Sequence, residues 1–99
     1  MVHTQGSTRL REWVERWECA GIPMRQRGES WEDYLRRLEG RLRALEYAWG
    51  DWIQSPPRPE HYLSDPHWAH AWPRARSEIL ALRLAVPALR RALKEVRHA

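Results

Sequence analysis

The residues in this chain best suited to chemistry are few and close together: His61, Asp65, His67 and His70, with Glu60 beside them. Imidazoles and carboxylates are metal ligands, and His67 and His70, one helical turn apart, can share a face. A zinc site usually brings four well-spaced ligands, often with cysteine among them. That set is incomplete here, so no metal and no cofactor are expected, and these groups read as the polar dressing of one end of a helical hairpin. Cys19 is the only cysteine. It excludes an internal disulfide, suits a reducing compartment and is expected as a small buried hydrophobe. The sequence has no glycine-rich phosphate loop, no nucleophile motif and no carboxylate pair set apart from the charge pattern described below. No catalytic residue is expected, and the chain reads as a non-enzyme.

Charge and aromatic content set the next constraints. Sixteen arginines and one lysine stand against thirteen acids for a formal charge of +4, with seven tryptophans and neither phenylalanine nor asparagine. A GC-rich genome or a hot habitat favours such usage, so the bias alone is no functional signal. A basic chain invites nucleic acid as a partner, but the charge is unevenly placed: residues 1–30 carry +1, 31–53 carry −1, 54–73 carry −1 and 74–99 carry +5. Ninety-nine residues suit one domain with a modest core, and no apolar run approaches the ~20 residues of a membrane span. Met1 to Ser7 show neither the basic start nor the apolar run of a secretory signal, so the expected location is the cytoplasm.

Periodicity supplies the elements that must position these residues, and it gives an all-α fold over a single domain, 1–99. A first helix is predicted over 7–20, with Leu10, Trp13, Val14 and Trp17 on one face, Ser7 or Thr8 as N-cap, and Gly21 and Pro23 as stops. A second is predicted over 30–53, opened by Ser30 with Asp33 in an acidic variant of the capping box. Its residues Trp31, Leu35, Leu38, Leu42, Leu45, Trp49 and Trp52 alternate at spacings of four and three, which is a heptad seam. A proline-rich loop follows over 54–64. The third helix, 65–97, opens on Asp65 and Pro66 as N-cap and N1. It repeats the seam through Trp68, Trp72, Ala75, Ile79, Leu82, Val86, Leu89, Leu93 and Val96. A kink or break is expected at Pro73 and a kink at Pro87, both facing away from the seam.

The two seams match as an antiparallel helical hairpin in a register that sets Trp52 against Trp72, Leu42 against Leu82 and Leu38 against Val86. In that register Glu46, Glu39 and Glu32 flank Arg76, Arg83 and Arg90, and such exposed pairs choose orientation more than they add stability. The first helix is expected on a second apolar strip, Leu80, Leu84 and Ala88, completing a three-helix bundle. A homodimer covering that strip is the alternative. Trp13 and Trp17 lie on the first helix's apolar face and five other tryptophans on the seams, so core takes precedence over base stacking for all seven.

Arg74, Arg91 and Lys94 on the third helix and Arg36, Arg37 and Arg43 on the second point outward. With Tyr62 and Trp68 at the aromatic loop end, they are the candidate partner-binding residues. The function expected is a non-catalytic interaction subunit, adaptor or inhibitor of bacterial or phage type, docking on a larger protein assembly as a monomer or homodimer. The alternative is a nucleic-acid-associated subunit, comparable in size and helicity to the small subunits of RNA-guided effector complexes.

Overall fold

Ser30 opens the long hairpin helix as its side chain dictates: it is extended at φ −68°, ψ 155°, and its Oγ accepts the Asp33 N–H at 3.1 Å. The computed structural model describes residues 2–54 and 66–98, with side chains at 8–53, 67 and 70–97. Among these residues the regular elements are all helices: α1 (Val2–Trp17), α2 (Trp31–Trp49), α3 (Asp51–Gln54) and α4 (Pro66–His98). The expected loop over 54–64 and the Asp65 cap lie, apart from Gln54, outside the described residues.

Three boundaries differ from the predicted ones. Helix α1 starts at Val2, with Ser7 and Thr8 inside it. His3, Thr4 and Gln5 contain no breaker and one interior glycine costs only about 1 kcal/mol, so the helix propagates back past the polar pair. It ends at Trp17, and a turn over 18–20 leads to Gly21 at φ +82°. Cys19 sits in that turn, beyond the last buried tryptophan, and is exposed where a buried thiol was expected. The second helix steps at Gly50 before resuming as α3. The Gly50 amide donates to Glu46 O at 2.8 Å, and a Cβ there would lie 2.5 Å from the same oxygen. Helix α4 runs through Pro73 and Pro87 without a break. Pro73 is exposed and Pro87 half-buried, so neither missing N–H lies in the seam.

Both α1 and α2 run antiparallel to α4. Arg9 meets Glu95 at 3.1 Å and Trp13 Nε1 donates to Ala85 O at 2.9 Å. On the other side Glu32 meets Arg97 at 3.3 Å, and Trp72 Nε1 donates to Trp52 O at 3.1 Å. The segment 18–30 must therefore travel back along the bundle, so that α1 and α2 lie parallel on one long helix. The result is 58 Å long by 21 × 19 Å. Its radius of gyration is 16.5 Å, against about 13 Å for a spherical domain of this length. One core joins all three long helices: Trp13, Trp17, Ile22, Tyr34, Leu38, Leu45, Ile53 and the α4 residues Ala75, Ile79, Leu82, Ala85, Val86, Leu89 and Leu93.

The charge ladder along α2 and α4 forms one heptad away from the predicted partners. Glu46 pairs with Arg83, Glu39 with Arg90 and Glu32 with Arg97, at 3.1, 3.1 and 3.3 Å. Side chains on a helix lean toward its N-terminus. In an antiparallel pair Glu46 leans toward the C-terminal end of α4 while Arg83 leans back to meet it; Glu46 and Arg76 would lean apart. Arg76 is left without an acidic partner among the described residues. A double-mutant cycle by urea denaturation should return a coupling of about 0.2–1 kcal/mol for Glu46 with Arg83 and none for Glu46 with Arg76. Coupling of Glu46 to Arg76 would restore the unshifted ladder.

Helix α1 also chooses a different seat from the one predicted. It packs on the alanines of α4, with Ala85 fully buried, Ala92 buried and Ala81 and Ala88 partly so. Leu80 and Leu84 stay outside, 36% and 65% exposed. The reason is volume: two indoles, Trp13 and Trp17, need a surface of small residues to approach the α4 backbone, and the Trp13 bond to Ala85 O requires that approach.

Candidate functional site

Helix α4 has two covered faces, one under α2 and one under α1, and a third that is open. The open face carries Arg76, Leu80, Arg83, Leu84, Pro87, Arg91 and Lys94, which at about 100° per residue fall within a ~100° arc. The two exposed leucines are four residues apart and so adjacent on the helix. Around them Arg76, Arg83, Arg91 and Lys94 are all exposed. Arg83 is held by Glu46, whereas Arg76, Arg91 and Lys94 have no acidic partner among the described residues. Glu95, at the edge of the strip, is tied to Arg9. The arrangement is a short apolar ridge in a cationic frame. It complements a surface that is apolar in the middle and acidic at its rim.

The candidates named from sequence do not converge on one surface. Arg91 and Lys94 belong to this open face. Arg74 is exposed but lines clefts toward the α1 and α2 side of α4. Arg36 is 3.5 Å from Asp33, and Arg43 borders a shallow groove with Glu39, Glu46 and Arg90. Tyr62 and the side chain of Trp68 lie outside the described residues. Three members of the open face were missed by sequence reasoning: Leu80 and Leu84 had been assigned to α1, and Arg76 to Glu46.

Arg37 has an internal role. Its Nε and one terminal nitrogen bond both carboxylate oxygens of Glu29 at 2.9 Å, and it also donates to Met24 O at 2.7 Å. Gln26 N–H donates to Glu29 at 3.0 Å, Arg25 to Glu29 O at 2.7 Å, and the Tyr34 hydroxyl to Pro23 O at 2.7 Å. This clasp fixes the returning segment against the start of α2. The two-point bonding from Arg37, followed by the Gln26 amide, holds the Glu29 carboxyl at about 2, down from the ordinary 4.5. Burial pushes the Tyr34 phenol up. Because the Glu29 pKa is depressed on folding, its contribution is complete above about pH 4.5 and fades as pH falls toward 2. The melting-temperature gap between wild type and Glu29→Gln should therefore be constant from pH 7 to 5 and close between pH 4.5 and 2. A gap that persists at pH 2 would show that the clasp does not depend on the ionised carboxylate.

At the opposite end of the bundle, His67 and His70 are exposed and line a cleft between α2 and α4 with Arg41, Trp49, Arg74 and Glu78. Their expected neighbours His61 and Asp65 lie outside the described residues. Among the described residues no group of three or more His, Cys, Asp or Glu side chains comes together, and no helix is long and apolar enough to cross a membrane. Comparison with family models, with curated proteins and with solved structures found no match to this chain.

Proposed function

We propose that this protein is a non-catalytic helical interaction subunit that docks, along the open face of α4, onto an acidic amphipathic segment of a larger protein assembly in the cytoplasm. The observation carrying the reading is the exposed Leu80–Leu84 ridge set among Arg76, Arg91 and Lys94. Exposed apolar ridges with polar rims mark protein contacts. Helix-on-helix recognition reads side chains at such i, i+4 spacings, while the cations speed and orient encounter with an acidic surface. The same face is less suited to a phosphate backbone, because Leu80, Leu84 and Pro87 interrupt the cations and offer phosphate nothing.

The test is a photo-crosslinker placed at position 84 of the full chain in cells of its source. Crosslinking should capture one protein through a segment rich in acids and leucine-type residues, and Arg76→Glu with Arg91→Glu should abolish it without lowering the melting temperature. Crosslinks to nucleic acid, or between two copies of this chain, would overturn the proposal, as would capture indifferent to the charge reversals.

A further inference from the structure

A groove of about 210 Å³ runs along the contact of α1 with α4 and shares Arg91 with the open face. Trp13, Trp17, Ala88 and Ala92 form its apolar part. Its charges are sorted unequally. Arg9 engages both carboxylates that line it, Glu95 at 3.1 Å and Glu12 at 3.8 Å. Arg16 of α1 and Arg91 of α4 line the same groove, both are exposed, and neither is paired with an acid among the described residues. The two acidic side chains outside those residues, Glu60 and Asp65, are too distant to join them. Pro66 and Arg91 stand about 37 Å apart on one continuous helix, and the chain from Glu60 to Pro66 spans at most about 20 Å. Arg16 is also held in place. Its guanidinium carbon sits over the Trp17 ring, 5.4 Å from the centroid, and stacking occupies the faces of a guanidinium while leaving its N–H edges free. Trp17 is 8% exposed, and its Nε1–H is buried without an acceptor among the described residues.

We infer that this groove seats one aspartate or glutamate side chain of the protein that docks on the Leu80–Leu84 ridge, its carboxylate clamped between Arg16 and Arg91. The inference rests on the docking reading and adds to it a residue of α1 and a register. A carboxylate can accept N–H donors from two guanidiniums at once, and such charge-assisted bonds are the strong ones. The volume falls below the roughly 300–1,000 Å³ of sites that take a whole small ligand, which suits a single side chain. Arg91 follows Leu84 by roughly two turns, about 10 Å along the axis. On a helical partner lying along α4, the acid therefore stands about seven residues from the side chain that meets Leu84.

The test starts from the full chain carrying a photo-crosslinker at position 84, in cells of its source. Arg16→Gln should cut capture about tenfold, because charge-assisted bonds to a carboxylate are lost. Arg11→Gln, at an exposed α1 position outside the groove, should leave capture unchanged. The captured segment, made as a synthetic peptide and titrated into the purified chain, should carry an Asp or Glu about seven residues from its attachment point. Replacing that acid by its amide should weaken binding to the wild type about tenfold and to Arg16→Gln no further. The indole N–H resonance of Trp17 should shift with the acidic peptide and not with the amide form. Failure to capture any protein at position 84 would overturn the docking reading and this inference together. A captured partner that is indifferent to Arg16→Gln, or that has no acid at that spacing, would overturn this inference and leave the docking reading standing. Weakening accompanied by lost hydrogen-exchange protection in α1 would assign Arg16 to the fold and overturn the inference as well.

Discussion

Trp13→Ala should lower the stability of this protein by about 3–5 kcal/mol, a large part of the ~5–15 kcal/mol that small domains possess. Trp13 is 5% exposed and meets all three long helices. Its ring stands edge-on to Trp31 at 6.3 Å and to Tyr34 at 5.7 Å, both on α2. Its Nε1–H closes onto Ala85 O of α4. Truncation to alanine removes the indole volume from the aromatic cluster with Trp31 and Tyr34, and it removes a buried hydrogen bond at the same time. Trp13→Phe keeps a ring in the aromatic cluster and should cost less, about 1–2 kcal/mol. Urea denaturation measures both. A cost below about 1 kcal/mol for the alanine variant would mean that α1 does not seal the core. The variant should also lose hydrogen-exchange protection across α1 before α2, since α1 depends on α4 for its seat.

How far the fold could be read in advance depended on which physical signal each element carried. The α2 and α4 seams were legible because a heptad pattern repeated for several turns marks one face of each helix for burial, although its last position, Val96, stays exposed. The Trp52–Trp72 contact at the hairpin end follows from it. The ladder partners were displaced by seven residues because sequence spacing ignores the lean of side chains along the axis. Tyr34 was missed altogether: it lies beside the seam and becomes fully buried only because the returning segment and α1 cover it. No periodicity in α2 announces that cover. The clasp was equally hidden, since Arg37 repeats the pattern of an outward cation and Glu29 that of a loop acid, and only the path of residues 22–29 brings them together. The open face of α4 was the mirror case. Leucine was taken to mean burial, whereas the two tryptophans of α1 sought the smaller alanines next door.

Ala85→Leu should accordingly be the more damaging of two substitutions at neighbouring positions. Ala85 is fully buried beneath α1, and Leu84 is 65% exposed on the open face. A leucine at 85 adds three carbons where the Trp13 nitrogen lies 2.9 Å from the backbone oxygen, so α1 must shift outward or the helix must strain, at about 1–3 kcal/mol. Leu84→Ala removes volume that packs on little and should change stability by no more than about 0.5 kcal/mol. Hydrogen exchange would localise the first effect: amides of residues 10–17 should lose protection while those of 34–45 keep it. The pair of variants bears on function as well as packing. If Leu84→Ala were the costly change and Ala85→Leu the mild one, α1 would rest on the Leu80–Leu84 ridge. That ridge would then be core, and the cations around it would frame no docking surface.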